Sequence, residues 1–105
     1  MNKKTQQVVD SFQQQTPAKF KNGITEVRYK EKSSEALFIE IVRASGKVQA
    51  FKIPFSVLDT AVKHCLDERR LLAVSELHKL EGVGSWQESP VWAILNLMPD
   101  NFWKE

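Results

Sequence analysis

The strongest constraint on the fold is a pair of β-forming segments joined by a short turn. Residues 36–43 and 48–53 are rich in side chains that favour strands, and the intervening Ser-Gly-Lys at residues 45–47 has the length and composition of a hairpin turn. This spacing predicts two antiparallel strands. A third strand is predicted over residues 24–32, where apolar and charged side chains alternate with the period of two that strands require.

A helix is predicted directly after the last strand. Pro54 closes the strand, and Ser56 with Asp59 has the spacing of a capping box, with Asp in place of the preferred Glu or Gln. The stripe that would lie on the sheet is Leu58, Ala61, Val62, Cys65 and Leu66. The helical pattern extends over residues 56–81. It changes phase at the polar run 67–70, which indicates either a bend or the start of a second helix.

Both ends of the chain also have helical patterns. Residues 3–15 place three apolar side chains at helical spacing in a polar, Gln-rich segment, and a basic connector follows up to the turn at Asn22-Gly23. In the tail, the pattern over residues 91–98 predicts a short apolar helix, with an edge strand as the main alternative. Ser89-Pro90 resembles the start of such a helix, with proline at its first position.

These segments predict one α+β domain over residues 1–105. Its three- to four-stranded antiparallel sheet (24–53) is packed on one face by a helix (56–81), with a short N-terminal helix and basic connector (1–22) and a helical, aromatic tail (82–105). Hydrophobic residues make up 42% of the chain and charged residues 27%, which is the composition of a globular domain.

The composition also indicates where the protein resides. The apolar runs are only a few residues long, whereas a membrane helix needs about 20, so no membrane span is expected. The N-terminal lysines are not followed by the apolar core of a secretory signal. The single cysteine, Cys65, cannot form an internal disulfide. We therefore expect a cytoplasmic location in a reducing compartment.

No catalytic or metal-binding pattern is present in the sequence. His64 and Cys65 are neighbours on a predicted helix, so their side chains diverge by about 100° and cannot form a nucleophile–base pair. Two histidines and one cysteine do not supply the four ligands of a zinc site. Gly82-x-Gly84 lacks the further glycine or lysine of a phosphate-binding loop. Neither enzymatic activity nor a cofactor is expected.

Charge is divided unevenly along the chain. Residues 1–54 contain ten Lys/Arg against five Asp/Glu, whereas residues 55–105 contain five against eight. The net charge of +2 therefore combines a basic half with an acidic half, and such asymmetry indicates an interaction surface on the basic half.

One face of the predicted sheet concentrates this positive charge. The candidate nucleic-acid-binding residues are Arg28, Lys30, Lys32, Phe38, Arg43, Lys47 and Lys52. Single-stranded nucleic acid is bound by such surfaces because cations contact its phosphates and aromatic rings stack on its bases. The alternative is that Phe38 is covered by the N-terminal helix or by another chain, and that the lysines only protect an edge strand.

Part of the chain resembles a known family. The strand Ala36 to Arg43, the turn Ser45-Gly46-Lys47, the strand ending in Phe51-Lys52-Ile53 and the helix from Ser56 resemble the positive-cofactor-four-like single-stranded-DNA-binding coactivators. The resemblance covers residues 24–66. It implies a homodimer with helices at the interface and sheets that bind a single strand. By position, the resemblance implies that the residues in contact with phosphates are Arg28, Lys30, Arg43, Lys47 and Lys52.

The tail supports a second functional hypothesis. Trp86, Trp92, Phe102 and Trp103 place four aromatic side chains in an acidic segment. Tryptophan is enriched in protein interfaces, so the chain could be a small protein-binding module, such as a regulator, inhibitor or assembly subunit, that binds a protein partner through these rings. The alternative is that the rings complete the core of the domain.

Overall fold

A computed structural model describes all 105 residues and has an α+β fold, as predicted from the sequence. Four antiparallel strands form an open sheet in sequential order. The strands are β1 (Ala18–Lys19), β2 (Glu26–Lys32), β3 (Ala36–Val42) and β4 (Val48–Pro54). The three predicted strands are confirmed within two residues at each end, and the short β1 adds a fourth from the connector.

The turn between β3 and β4 fixes their register. The Gly46 N–H donates to the Arg43 carbonyl at 2.9 Å, and the Arg43 N–H donates to the Lys47 carbonyl at 2.9 Å. Gly46 has φ +87°, a left-handed conformation that costs glycine little. The loop consists of residues 44–46 and ends in this left-handed glycine, which is a common form of hairpin connection. It aligns Val42 with Val48 and Ile39 with Phe51.

A second turn brings β1 against β2. The Asn22 carboxamide oxygen accepts hydrogen bonds from the N–H groups of Ile24 and Thr25, at 2.8 and 3.0 Å. Gly23 follows with φ +74°. Side chains of Asn close turns in this way because they imitate a backbone acceptor. The result is that Ala18 pairs with Val27 in the sheet.

All helices lie on one side of the sheet. They are α1 (Lys3–Gln15), α2 (Phe55–Glu68), α3 (Val74–His78), α4 (Glu88–Leu95) and a C-terminal 3₁₀ helix (Asp100–Lys104). Helix α1 contacts both α2 and α4, and α4 reaches β1 and β2. None of these helices is long and apolar enough to cross a bilayer.

The core lies between this helical layer and the inward face of the sheet. Val27, Ile39 and Ile53 from the sheet are each at most 1% exposed. Val8 and Phe12 of α1 are fully buried in the same core. The Phe12 and Tyr29 rings pack edge to face, with 5.9 Å between their centres. Burial of each such side chain stabilises the fold by roughly 1.5–3 kcal/mol. The N-terminal helix is thus part of the domain core.

The predicted capping box at Ser56 is wrong. Helix α2 begins one residue earlier, at Phe55, with Pro54 at the N-cap position and no side-chain cap. The backbone favours this start because the Phe55 N–H continues the sheet by donating to the Glu35 carbonyl. Asp59 instead accepts from the Asn2 N–H at 3.1 Å and ties the chain's N-terminus to α2.

The helical pattern over residues 56–81 forms two helices, α2 and α3. Arg69 adopts φ +58°, and the N–H groups of Arg69 and Arg70 donate to the carbonyls of Leu66 and Cys65. This left-handed residue ends α2. Helix α3 then starts beyond a short connection. The polar run 67–70 therefore marks the change to a second helix and not a bend.

The short helix predicted over residues 91–98 is confirmed as α4 (Glu88–Leu95), and the edge-strand alternative is wrong. It begins three residues earlier, because Pro90 is accommodated in the first turn, where backbone N–H groups have no helical partner. Val91, Ile94 and Leu95 are fully buried. The tail therefore completes the core.

Candidate nucleic-acid interface

The sheet has one face that no helix covers, and we call it the open face. Strand alternation and register decide which side chains it carries. They are Lys19, Glu26, Arg28, Lys30, Glu31, Phe38, Glu40, Val42, Val48, Ala50 and Lys52. Three of the predicted cations and the predicted aromatic ring therefore share this face.

Lys32 does not lie on the open face, contrary to the sequence prediction. The register of β2 against β3 shifts between Tyr29 and Glu31, which indicates a β-bulge. A bulge adds one residue to one strand and so reverses the facing of the residues beyond it. Lys32 now pairs with Leu37, on the helical side, and its ammonium lies 3.8 Å from the Asp10 carboxylate of α1.

The open face is close to electrically balanced. Four cations and three carboxylates lie on it, and two of the cations are paired. The Arg28 guanidinium is 3.4 Å from the Glu26 carboxylate, and the Lys30 ammonium is 3.7 Å from that of Glu40. Exposed pairs of this kind are worth at most about 1 kcal/mol, but they reduce the positive potential over β2. The face is less basic than the alternation of residues 24–32 suggests.

Phe38 and Lys52 form the part of the open face best suited to a base and a phosphate. They are directly opposite each other on β3 and β4. Phe38 is partly exposed and is not covered by α1, which lies on the other side of the sheet. Lys52 is exposed and has no carboxylate within 4 Å, since none of the ion pairs of the chain includes it.

The concentration of unpaired positive charge lies where the β3–β4 hairpin meets the connector, and we call it the cationic end. It consists of Lys19, Lys21, Arg43 and Lys47, all exposed. None of the four is within 4 Å of a carboxylate. The Arg43 guanidinium lies 5.8 Å from the centre of the Phe20 ring, which joins the two segments.

Apolar and further basic groups border the cationic end. Ile24 and Val48 are branched aliphatic side chains and are 61% and 50% exposed. Lys21 also lines an open groove of about 560 Å³ together with His78 and Lys79 of α3. At the side of this groove the His78 imidazole is 3.7 Å from the Glu88 carboxylate. The groove therefore brings Lys21 of the connector to the same lining as Lys79 of α3, together with the Glu88 carboxylate.

The aromatic tail does not form a docking surface as a group. Phe102 and Trp103 are 7% and 1% exposed and lie in the core, so their predicted role in partner binding is wrong. Trp92 is partly buried against the same core. Only Trp86 is exposed, at 40%, and its ring stacks on Phe51 with 4.7 Å between ring centres.

Cys65 is a core residue, as its place on the apolar stripe suggests. It is fully buried, and the Leu72 N–H donates to its sulfur at 3.4 Å. Burial raises the pKa of the Cys65 thiol, although the Leu72 hydrogen bond acts in the opposite direction. His64 is exposed on the other side of α2. No three His, Cys, Asp or Glu side chains are grouped as a metal ion would require.

No protein-family model, curated protein or solved structure gives a significant match to this chain. The likeness to the coactivator domains therefore stays a prediction from strand order and the Gly46-Lys47 turn. Its implied helix-to-helix dimer finds little free apolar surface on α2, because the apolar residues of that helix are buried within the chain except Leu66, which is partly buried.

Proposed function

We propose that the protein binds single-stranded nucleic acid, with the cationic end as the main phosphate-binding surface. The observation that supports this most is that Lys19, Lys21, Arg43 and Lys47 border one end of the sheet on two separate segments, with no carboxylate within 4 Å of any of them. Cations without carboxylate partners leave a positive potential at this end of the sheet, which attracts an anion. A polyanion gains further because its condensed counterions are released.

The open face supplies the second part of the proposed site. Val42 and Val48 border the cationic end. Phe38 lies four residues from Val42 along β3, and Lys52 lies four residues from Val48 along β4. At about 3.4 Å per residue this distance is about 14 Å. A single strand that contacts the cationic end can therefore reach Phe38, where a base can stack on the ring. Phosphate contacts carry no base information, so we expect little sequence preference.

The test is fluorescence anisotropy with single-stranded oligonucleotides over a series of salt concentrations. Arg43→Ala with Lys47→Ala removes two of the proposed phosphate contacts. For a single strand, each contact contributes about 0.7 to the slope of log K against log salt, so the double variant should reduce the slope by about 1.4. The loss should be similar for different base sequences.

A matched control removes the same charge from the helical side of the protein. Lys63 of α2 and Lys104 of the 3₁₀ helix are exposed and have no carboxylate within 4 Å. Lys63→Ala with Lys104→Ala should leave the slope nearly unchanged. If both double variants reduce binding equally, the affinity reflects net charge alone and the site is wrong. Absence of binding at physiological salt would contradict the function itself.

The second candidate function is a protein-binding module in a cytoplasmic setting. Of the four tail aromatics proposed for it, Trp86 is the one that supports it, because its stacked and exposed ring is available to a partner. This function requires no oligonucleotide affinity. Trp86→Ala would weaken a protein complex but leave anisotropy with oligonucleotides unchanged, so the same assay distinguishes the two.

A further inference from the structure

Strand β4 is an edge strand whose outer side is unpaired. Its pairs with β3 continue from the hairpin, in which the Arg43 N–H bonds the Lys47 carbonyl. Because hydrogen-bonded and non-bonded pairs alternate in an antiparallel ladder, residues 49, 51 and 53 face β3. The N–H and C=O groups of Val48, Ala50 and Lys52 therefore point away from the sheet. No hydrogen bond from elsewhere in the chain reaches them.

Apolar side chains are exposed along this edge. Val48 is 50% exposed, and Ala50 is exposed beside it. On the helical side, Phe51 is partly exposed and carries the stacked ring of Trp86, which is itself 40% exposed. Unpaired backbone groups next to exposed apolar side chains mark a surface that can accept another strand.

We propose that the β4 edge pairs antiparallel with the β4 edge of a second copy of this chain. A two-fold axis through Ala50 brings every outward N–H and C=O of one strand opposite its complement: Ala50 faces Ala50 of the second copy, and Val48 faces its Lys52. This arrangement makes six hydrogen bonds between the copies. The two sheets become one eight-stranded sheet.

The side-chain arrangement is what favours a second copy as the occupant. The single charge of the strand, on Lys52, lies opposite Val48 of the other copy, so the two ammonium groups do not meet. A lysine stem packs well on such an aliphatic surface. On the helical side, Phe51 and Trp86 of the two copies approach across the axis and can form one aromatic cluster. Pro54, which lacks an N–H, lies beyond the paired residues.

The test is analytical ultracentrifugation of the full chain over a range of concentrations without nucleic acid. One strand pair and one aromatic cluster form an interface at the small end of the specific range, so we expect a reversible dimer. Ala50→Pro removes the outward N–H of residue 50, and edge strands tolerate proline at such a position. Loss of two hydrogen bonds at the axis should raise the dissociation constant about thirtyfold. Ala50→Ser is the control and should dimerise like the parent.

Charge variants test the position of the axis. Ala50→Asp and Ala50→Lys each place like charges directly opposite one another and should each weaken the dimer about fivefold. An equimolar mixture should restore it, because the charges across the axis are then opposite. Ala50 is exposed, so each variant should melt like the parent. If the mixture associates no better than either variant alone, residue 50 is not at the axis and the arrangement is wrong.

Amide hydrogen exchange tests the interface without any substitution. The N–H groups of Val48, Ala50 and Lys52 should exchange more slowly as protein concentration rises. Those of residues 49, 51 and 53 bond to β3 and should be protected at every concentration. Fast, concentration-independent exchange at the three outward groups overturns the proposal. The oligonucleotide assay does not depend on this result, so the two proposals can fail separately.

Discussion

The guanidinium of Arg43 lies over the ring of Phe20, 5.8 Å from its centre, and connects the β3–β4 hairpin to the segment after β1. A contact of this kind is worth about 0.5–1 kcal/mol at an exposed site. Its larger effect is on position. It holds one cation of the hairpin beside Phe20, whose neighbours in the chain are Lys19 at the end of β1 and Lys21, so four positive side chains border one end of the sheet.

A second arginine contact, between Arg70 and Glu76, gives a prediction about how the stability of the fold depends on pH. The two Arg70 nitrogens donate to the Glu76 carboxylate at 2.8 and 2.6 Å, and the Ala73 N–H donates to it at 2.8 Å. The Arg70 hydrogen bond, followed by that of Ala73, lowers the pKa of Glu76 from its ordinary 4.5 to about 2. The ionised carboxylate therefore stabilises the folded state above pH 4.5, and this stability is lost as the pH falls towards 2.

Glu76→Gln should reveal this contribution. The carboxamide can still accept from Ala73, so the substitution removes mainly the charge opposite Arg70. The variant should melt below the parent at pH 6, and the difference should shrink below pH 4.5 and vanish near pH 2. Because the pair is exposed, the difference should also be smaller in high salt. A difference that is constant from pH 6 to pH 2 would contradict the ionic origin of the effect.

Two of the three tryptophans, one buried and one exposed, give a prediction about stability. Trp103 is 1% exposed, whereas Trp86 is 40% exposed. Trp103→Ala should lower the free energy of unfolding by about 3–5 kcal/mol, because it leaves a cavity in the core. Trp86→Ala should cost only about 1 kcal/mol, mainly from its stacking on Phe51. Denaturant titration at low protein concentration measures both. Equal losses would contradict the different burial of the two rings.

Truncation after Glu81 extends this comparison. It removes α4 and the 3₁₀ helix and with them the fully buried Val91, Ile94 and Leu95. We expect the truncated chain to lose cooperative unfolding. A truncated protein that melts like the parent would show that the tail is independent of the domain.

Cys65 gives a prediction about chemical reactivity. Burial removes the sulfur from solvent and raises the pKa of the thiol, so little thiolate is present at neutral pH. Because the thiolate is the reacting species, a thiol reagent should modify the native protein slowly and the denatured protein fast. Equal rates in the two states would place Cys65 at the surface.

The strands and helices could be predicted from sequence because their signals are local. Strand alternation, the turn at Gly46 and the apolar stripe around Cys65 each depend on residues within a few positions of one another. The bulge in β2 has no such signal. Its effect on Lys32 depends on pairing with β3 and on the Asp10 side chain of α1.

The main site could be predicted only in part for the same reason. Arg43 and Lys47 belong to a recognisable hairpin, but Lys19 joins them through β1, which has two residues and therefore no periodicity. The pairing of Arg28 with Glu26 and of Lys30 with Glu40 could be foreseen from strand geometry once the register was known. The burial of Phe102 and Trp103 depends on the helical layer as a whole, which no local pattern describes.

Phe38 gives the final prediction, which separates stacking from charge in the proposed binding. Its ring is on the open face opposite Lys52 and is partly exposed. Phe38→Leu keeps an apolar side chain of similar reach but removes the aromatic face. If a base stacks there, affinity for a single strand should fall by about 1–3 kcal/mol. The slope of log K against log salt should not change, because stacking releases no counterions.

Two further variants control for this interpretation in the same anisotropy assay. Phe38→Tyr retains the aromatic face and should bind like the parent. Lys52→Ala should instead reduce the salt slope by about 0.7, the contribution of one phosphate contact. Melting curves should show that all three variants are folded, since residues 38 and 52 lie outside the core. If Phe38→Leu binds as well as Phe38→Tyr, no base stacks on residue 38. The bound strand would then be held by the cationic end alone, with the open face outside the site.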